Sequence, residues 1–280
     1  MAAPSYNGKV AYVVGGSLGI GLAAAKALAA RGADVLVLAR RPAPLADACR
    51  EILERRASPS QRVEQRLLDV CDAGAVATVM AEAVASFGEP DVLLNCAGRA
   101  RPGYFEDIPS AQLEETLRVN VVGLWNTTQA LLPHLRKRRG HIVNVSSVAG
   151  MIGILGYTDY AASKFAVIGF SEALRNELAG SGVRVSVLCP PDTDTPGLSD
   201  ENHTKPPETA ALASAAHLLT AEEVAEGLLA GMNRGRFLIV PGRAARLLVL
   251  AKRLFPGFVA RVIDRKAAAA RRRERGSRTA

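Results

Sequence analysis

Aromatic residues make up only 5% of this 280-residue chain, which has one Trp, four His and four Cys. The cysteines, Cys49, Cys71, Cys96 and Cys189, stand apart in apolar contexts without CxxC spacing. That excludes a disulfide framework and a cysteine-ligated zinc site, and the expected compartment is reducing and cytoplasmic. His203, His217 and the other two histidines are unclustered, so no metal site is expected. No stretch approaches the roughly eighteen apolar residues that a membrane span requires. The opening MAAPSYNGKVAYVVGG has no charged segment ahead of a long apolar run, so no secretory signal is expected.

What is present suits one large α/β domain. The chain is 49% hydrophobic and 22% charged, enough apolar material for a sizeable core. Charge is unevenly spread. From Arg234 onward there are 14 Lys and Arg against two acids, and the preceding residues carry a net charge of −4. Basicity therefore belongs to the tail.

Short segments rich in β-branched residues and Leu recur along the chain: KVAYVVG (9–15), DVLVLA (34–39), RVEQRLLDV (62–70), DVLLN (91–95), HIVNVSS (141–147), VRVSVLC (183–189) and RFLIVP (236–241). They read as seven strands. Between them lie stretches with apolar spacing near 3.6, such as GLAAAKALAARG and AVATVMAEAVASFG. This alternation predicts a doubly wound parallel sheet of Rossmann type flanked by helices, with ligands beyond the carboxyl ends of the strands. Functional residues are expected just after strands.

The first strand runs into VVGGSLGIG (13–21). Gly15, Ser17, Gly19, Ile20 and Gly21 form a turn where backbone can approach a pyrophosphate at a helix N-terminus. Gly15 to Gly19 also fits GxSxG, the nucleophile elbow of hydrolases, but that elbow follows several earlier strands and this Ser follows the first. A plain tight turn is the bland alternative. At the end of the second strand stand Arg40 and Arg41, where NAD-preferring folds carry an acid. Two guanidiniums favour a 2′-phosphate and hence NADPH, with Arg40 the first choice; a solvated pair at the start of a helix is the alternative. Asp69 and Val70 end the third strand, where Asp69 can accept from an adenine amino group. Asn95 ends the fourth, and the small Ala97 and Gly98 leave room for a ribose.

Tyr160 and Lys164 are four residues apart, on one face of a helix predicted over about 158–180. A phenol donates a proton near neutral pH only if nearby positive charge stabilises its anion, and Lys164 can supply that charge. Ser147, after the fifth strand, can donate to a substrate carbonyl, and Asn120 lies on the preceding helical segment.

Gly15-xxx-Gly19-Ile20-Gly21, Asn95-Cys-Ala-Gly98, Asn120, Ser147 and Tyr160-xxx-Lys164 together resemble the short-chain dehydrogenase/reductase family over about residues 8–240. The resemblance implies an NADP(H)-dependent ketone reductase in which Tyr160 is the general acid. Lys164 lowers its pKa and holds the nicotinamide ribose, Ser147 orients the carbonyl, and Asn120 supports a water relay to Lys164. It also implies a homodimer or homotetramer packed through the helices bearing Asn120 and Tyr160. Val14 stands where the family usually has Thr, so a bond bracing the glycine turn is expected to be missing. Leu18 occupies a position where some NADP-dependent members carry a cation.

The proline-rich PPDTDTPGLSDENHTKPPET (190–209) follows the sixth strand, where the family carries Pro-Gly-x-Val-x-Thr. By that correspondence Pro190 borders the nicotinamide, the Thr193 backbone meets its carboxamide, and the Thr195 hydroxyl meets the carboxamide or the pyrophosphate. Pro191 in place of Gly fixes φ and removes one N–H. The string is similar to the corresponding segment of the 3-ketodihydrosphingosine reductases, which implies 3-ketosphinganine, a sphingoid long-chain ketone, as substrate in sphingolipid synthesis. Reduction of a 3-ketoacyl thioester, or of a steroid-like or retinoid-like ketone, is the alternative; a membrane-recruited cofactor-binding scaffold is the non-enzyme one. Asp192 or Asp194 pairing with the substrate ammonium is one reading; acids facing solvent is the other.

Residues 1–242 are thus expected to form one NADP-binding catalytic domain, with a substrate loop over about 190–219 whose ETAALASAAHLL offers apolar surface to a lipid chain. Residues 243–280 form a basic extension. Leu247, Leu250, Leu254 and Phe258 recur there at helical spacing among Arg246, Lys252, Arg253 and Arg261, interrupted by Pro256. The pattern fits peripheral contact through 243–275 with the cytosolic face of a membrane, or a helix packed on the domain or a partner copy and followed by a disordered basic end. Nucleic acid is not expected, since no recognisable module accompanies the basic residues.

Overall fold

A computed structural model describes residues 5–213 and 218–278. In chain order β1 (Val10–Val14), α1 (Gly19–Ala29), β2 (Asp34–Ala39), α2 (Pro42–Glu54), β3 (Val63–Leu67), α3 (Ala73–Phe87) and β4 (Val92–Asn95) form the first half. Then come α4 (Ser110–Leu117), a π turn (Arg118–Val122), α5 (Gly123–Arg138), β5 (His141–Val145), α6 (Thr158–Glu177) and β6 (Arg184–Leu188). The remainder is β7 (Thr193–Asp194), α7 (Pro196–Asn202), α8 (Pro207–Ala213), β8 (Leu219–Thr220), α9 (Ala221–Asn233), β9 (Leu238–Ile239), α10 (Arg243–Leu254) and α11 (Pro256–Arg278). All seven expected strands are present.

They pair in parallel in the order β3-β2-β1-β4-β5-β6-β9. Winding outward from β1 in both directions opens a crevice where β1 and β4 lie side by side, the usual place for a ligand in such sheets. Alternation along each strand divides the core. Val13, Val35, Val37 and Leu94 face α1 and α9, whereas Tyr12, Leu36, Leu38 and Leu93 face α3, α5 and α6. With both faces covered, β1 is apolar throughout and β2 is apolar after Asp34, as a parallel sheet requires.

Buried polar groups fix the lower edge of the sheet. Asp91, just before β4, accepts from Val10 N–H (3.0 Å), Lys9 Nζ (3.1 Å) and Arg138 (2.9 and 3.0 Å). Burial alone would raise its pKa, yet these donors hold it below the ordinary carboxylate value.

β7 and β8 pair with each other in parallel, Thr193 opposite Leu219 and Asp194 opposite Thr220. The segment expected as a substrate loop therefore leaves and returns at one place, and carries α7 and α8 between. Its stretch 214–217, which includes His217 and part of the expected lipid-facing run, lies outside the described residues. Thr220 and Glu223 then form the capping box that starts α9, each side chain meeting the other's backbone N–H at 3.1 and 2.8 Å.

The tail is two helices broken at Phe255–Pro256, as the proline demands. Ala245 and Ile263 pack on Val148 and Ile152 in the loop after β5, and α11 runs along α8. Arg271 Nε lies 3.9 Å from Glu208 Oε1, and the Tyr104 hydroxyl donates to the other oxygen of that buried carboxylate at 2.6 Å. The basic end continues as helix to Arg278. Among the described residues no helix is long and apolar enough to cross a membrane.

Candidate active site

One cavity of about 1160 Å³ lies along the carboxyl ends of the strands. At its β1 end, Gly15 adopts φ +78°, and a Cβ there would fall 2.4 Å from Ala97 N. Only glycine permits β1 and β4 to approach so closely. A Cβ on Gly21 would meet Gly15 O at 2.3 Å, so Gly21 seats α1 on the turn rather than lining the cavity. Ser17, Gly19 and Ile20 do line it. Leu18, the residue ahead of α1, offers no side-chain cap, and the first turn of α1 has no acid. Its first N–H groups and positive dipole end face the cavity, an arrangement that fits a phosphate. Where Val14 replaces the expected Thr, the turn is tied instead by Gly15 N–H to Leu38 O at 2.7 Å.

Arg40 and Arg41 border the cavity at the end of β2, both exposed. Asp69 and Val70 border it after β3, with Asp69 Oδ1 accepting from Cys71 N–H at 2.9 Å. Ala97 and Gly98 continue the wall after β4. Asn95 departs from its expected place: its amide turns away from the cavity. It donates to Thr128 Oγ1 (3.0 Å) and Asn144 Oδ1 (2.9 Å) and accepts from Thr127 Oγ1 (2.7 Å). Asn144 in turn donates to Ser171 Oγ at 2.9 Å, so this buried chain pins β4 and β5 to α5 and α6.

The four residues expected to carry the chemistry converge. Tyr160 and Lys164 lie on the first turns of α6, Ser147 follows β5, and Asn120 lies in the π turn between α4 and α5. Lys164 Nζ sits 5.6 Å from the centre of the Tyr160 ring and donates to Val145 O at 2.9 Å. A Cβ at Gly98 would lie 3.3 Å from both Asn120 Oδ1 and Lys164 Nζ, so these groups close on one point. Asn120 also clamps the strand-end loop to α6. It accepts from Arg99 N–H (2.8 Å) and donates to Arg99 O (3.0 Å) and Ser163 Oγ (2.9 Å). Ser147 Oγ accepts from Ala149 N–H at 3.1 Å and lies 3.5 Å from Pro190 O, leaving its proton weakly engaged.

Burial pulls the Lys164 ammonium down to about 8. The same burial, reinforced by the charge of Glu201, lifts the Tyr160 phenol well above its ordinary value, against a lowering by the Ser147 hydroxyl. Tyr160 is thus held neutral, as a proton donor must be.

After β6, Pro190, Thr193 and Thr195 all line the cavity. Both hydroxyls also serve the fold. Thr193 Oγ1 donates to Pro191 O at 2.8 Å, and Thr195 Oγ1 accepts from Leu198 N–H at 3.2 Å as the N-cap of α7. Asp192 lines the cavity, whereas Asp194 is exposed and does not. The ammonium reading of Asp194 therefore gives way to the solvent-facing one.

Two residues emerge that the sequence did not single out. The Tyr157 hydroxyl donates to Glu201 Oε2 at 2.7 Å, and the Tyr157 ring centre lies 5.7 Å from that of Tyr160. Tyr157 is three residues before Tyr160 on the same run, a spacing the sequence itself displays. Glu201 reaches the cavity only because β7 and α7 fold back over it, which no local pattern reveals. Burial raises its pKa, although Tyr157 and Lys205 oppose that.

A family model described as short chain dehydrogenase matches residues 9–206. The chain belongs to the short-chain dehydrogenase/reductase family of oxidoreductases. It is 37% identical over 227 residues to the 3-ketodihydrosphingosine reductase of Mus musculus, covering 80% of this chain and 68% of the relative. It is likewise 37% identical over 233 residues to the 3-dehydrosphinganine reductase of Danio rerio, covering 82% and 70%. Among solved structures, a short-chain dehydrogenase/reductase from Burkholderia phymatum in complex with NAD superposes with a TM-score of 0.78 at 25% identity, covering 90% of this chain and 95% of that one. An alcohol dehydrogenase from Thermococcus sibiricus complexed with 5-hydroxy-NADP gives 0.71 at 25% identity, covering 83% and 95%.

Proposed function

We propose that this chain uses NADPH to reduce the 3-ketone of 3-ketosphinganine to the secondary alcohol. The observation that carries the reading is one cavity that joins Arg40, the uncapped α1 N-terminus, the Ser147–Tyr160–Lys164 group and two acids, Asp192 and Glu201. The identity to ketosphinganine reductases over most of the chain supports the same substrate.

Arg40 and Arg41 would hold the 2′-phosphate, with Asp69 and Val70 beside the adenine. Gly15, Ser17, Gly19 and Ile20 would hold the pyrophosphate, and Ala97, Gly98, Pro190, Thr193 and Thr195 would flank the ribose and nicotinamide. NADPH bound there supplies the hydride. Ser147 and Tyr160 donate hydrogen bonds to the ketone oxygen, and Tyr160 passes its proton to that oxygen as negative charge develops. Lys164 holds the ribose and, while charged, favours the departure of that proton. Asn120 keeps the strand-end loop against α6 and so fixes the floor beneath Lys164. Asp192 and Glu201 give the substrate ammonium two carboxylates at the reacting end of the cavity.

The same reading places the chain at a membrane surface. Leu247, Leu250, Leu254, Phe255 and Phe258 are exposed along α10 and the start of α11, among Arg246, Arg253 and Arg261. Such a face suits anionic lipid. Residues 1–242 act as the catalytic domain and 243–280 as its membrane-facing extension. Leu113, Val122, Trp125 and Phe165 are also exposed, on α4, the π turn, α5 and α6, and support assembly into a homodimer or homotetramer through those helices.

The test is NADPH oxidation by the purified chain with 3-ketosphinganine and with a 3-ketoacyl thioester, each repeated with NADH. Turnover of the amino ketone with NADPH, reduced at least a hundredfold in Tyr160→Phe, supports the reading. Preference for the thioester refutes the substrate.

A further inference from the structure

A second cavity, of about 790 Å³, lies between α11 and the start of the catalytic helix. One wall is the loop and first turn that lead to Tyr160, through Gly153, Ile154 and Ala161; the other is α11, through Ile263, Ala267 and Ala268. Ile154 lines this cavity and the active-site cavity alike, so the two meet at that side chain. Apart from Thr158, the uncharged residues that line the groove are aliphatic or lack a side chain beyond Cβ. Charged groups, Asp264, Arg271 and Arg272, also belong to its α11 wall. α11 is not loosely laid there: Arg271 approaches Glu208 of α8, and Ala270 and Val259 are buried.

From this adjacency across a single side chain we infer that the groove between α11 and the start of α6 is the subsite for the substrate's alkyl chain. The chain enters from Tyr160, passes Ile154, and lies against Ala267 and Ala268. The inference rests on the ketone-reductase reading and adds to it a function for the extension: α11 is a wall of the binding site, beyond the residues matched by the family model. Small residues on a helix wall leave width for a methylene chain. Each buried methylene contributes about 0.8 kcal/mol, so a few suffice to set a chain-length preference.

The test is graded filling of the groove in the 280-residue chain. kcat/KM is measured for a long-chain and a short-chain 2-amino-3-ketone, and for the same pair lacking the amino group, in wild type, Ala267→Leu and Ala267→Trp. The expected result is a long-to-short ratio that falls in steps, by roughly tenfold in Ala267→Trp, the loss of about two buried methylenes. The ratio should fall equally with and without the amine, because the groove reads the chain and not the head. A ratio unmoved in both variants, with thermal melts matching wild type, overturns the inference. A wild type that prefers ketones without the amine overturns the amino-ketone reading instead and leaves the chain-length ratio to judge the groove. Should Ala267→Trp melt early, the Ala267→Leu ratio decides alone.

Discussion

The Tyr157 hydroxyl donates to Glu201 Oε2 at 2.7 Å, joining the catalytic helix to α7 across the reacting end of the cavity. A carboxylate raised by burial and carrying one phenol bond is well placed to gain from a second, cationic partner. Glu201→Gln should therefore cut the preference for the amino ketone over its des-amino analogue by about tenfold, the scale of one charge-assisted bond. Asp194→Asn, altering an exposed side chain, should leave that preference as it is. Competition kinetics with the two ketones under one NADPH concentration measure both.

The pH profile follows from Lys164. Its buried ammonium is depressed to about 8, so it is charged below that pH and neutral above it. Reduction needs the charge, and kcat/KM, which reports the free enzyme, should decline as pH rises through about 8. Neutral His141, pushed down to about 3 by burial, is buried away from the cavity and adds no limb between pH 5 and 8.

Nucleotide preference tests the end of β2. Arg40→Ala should raise KM for NADPH by about tenfold to a hundredfold and hardly touch NADH, since a bond to a charged group contributes about 1.5–3 kcal/mol. Initial rates against both nucleotides decide this. An equal loss with each would assign Arg40 to the shared pyrophosphate or to the fold.

Stability should be sensitive at Asp91, far from the chemistry. Removing this buried acceptor in Asp91→Ala leaves Val10 N–H and Arg138 without their partner and should cost about 2–3 kcal/mol in urea unfolding. The carboxylate's pKa is lowered in the folded state, so its contribution is present above the unfolded value. It disappears as pH falls through the folded one. The gap between wild type and Asp91→Ala should therefore close in acid.

Attachment to lipid is read by flotation. The intact chain should float with vesicles containing anionic lipid, and Leu250→Asp with Leu254→Asp should keep it at the bottom of the gradient while the far-UV spectrum stays unchanged. Both side chains are exposed, so their replacement disturbs no core.

Much of this architecture is legible in the chain because it is local. The seven strands announce themselves as short β-branched runs, and the Gly15–Gly21 turn, Arg40 and Ser147 follow from the rule that ligands gather past strand ends, whereas Pro190, Thr193 and Thr195 come through the family correspondence. Tyr160 and Lys164 follow from a spacing of four. What stayed hidden depends on long-range closure. Asn95 sits at a strand end like the others, but whether its amide faces the cavity or Thr128 is decided by α5, fixed only on folding. Glu201 becomes a site residue through the pairing of β7 with β8, two strands of two residues that carry no periodicity. Tail periodicity marks an amphipathic helix, and cannot say that α11 would settle on α8 and face the catalytic helix across a groove.

Leu248, itself 42% exposed, lines the active-site cavity beside the exposed Leu247 and Leu250 on the same helix. On the proposed contact of this helix with a membrane, a ketone dissolved in the bilayer would have no aqueous journey to make: its search would be two-dimensional. Turnover would then follow the mole fraction of ketone in the membrane, and adding inert lipid at fixed ketone would slow the enzyme as surely as removing substrate.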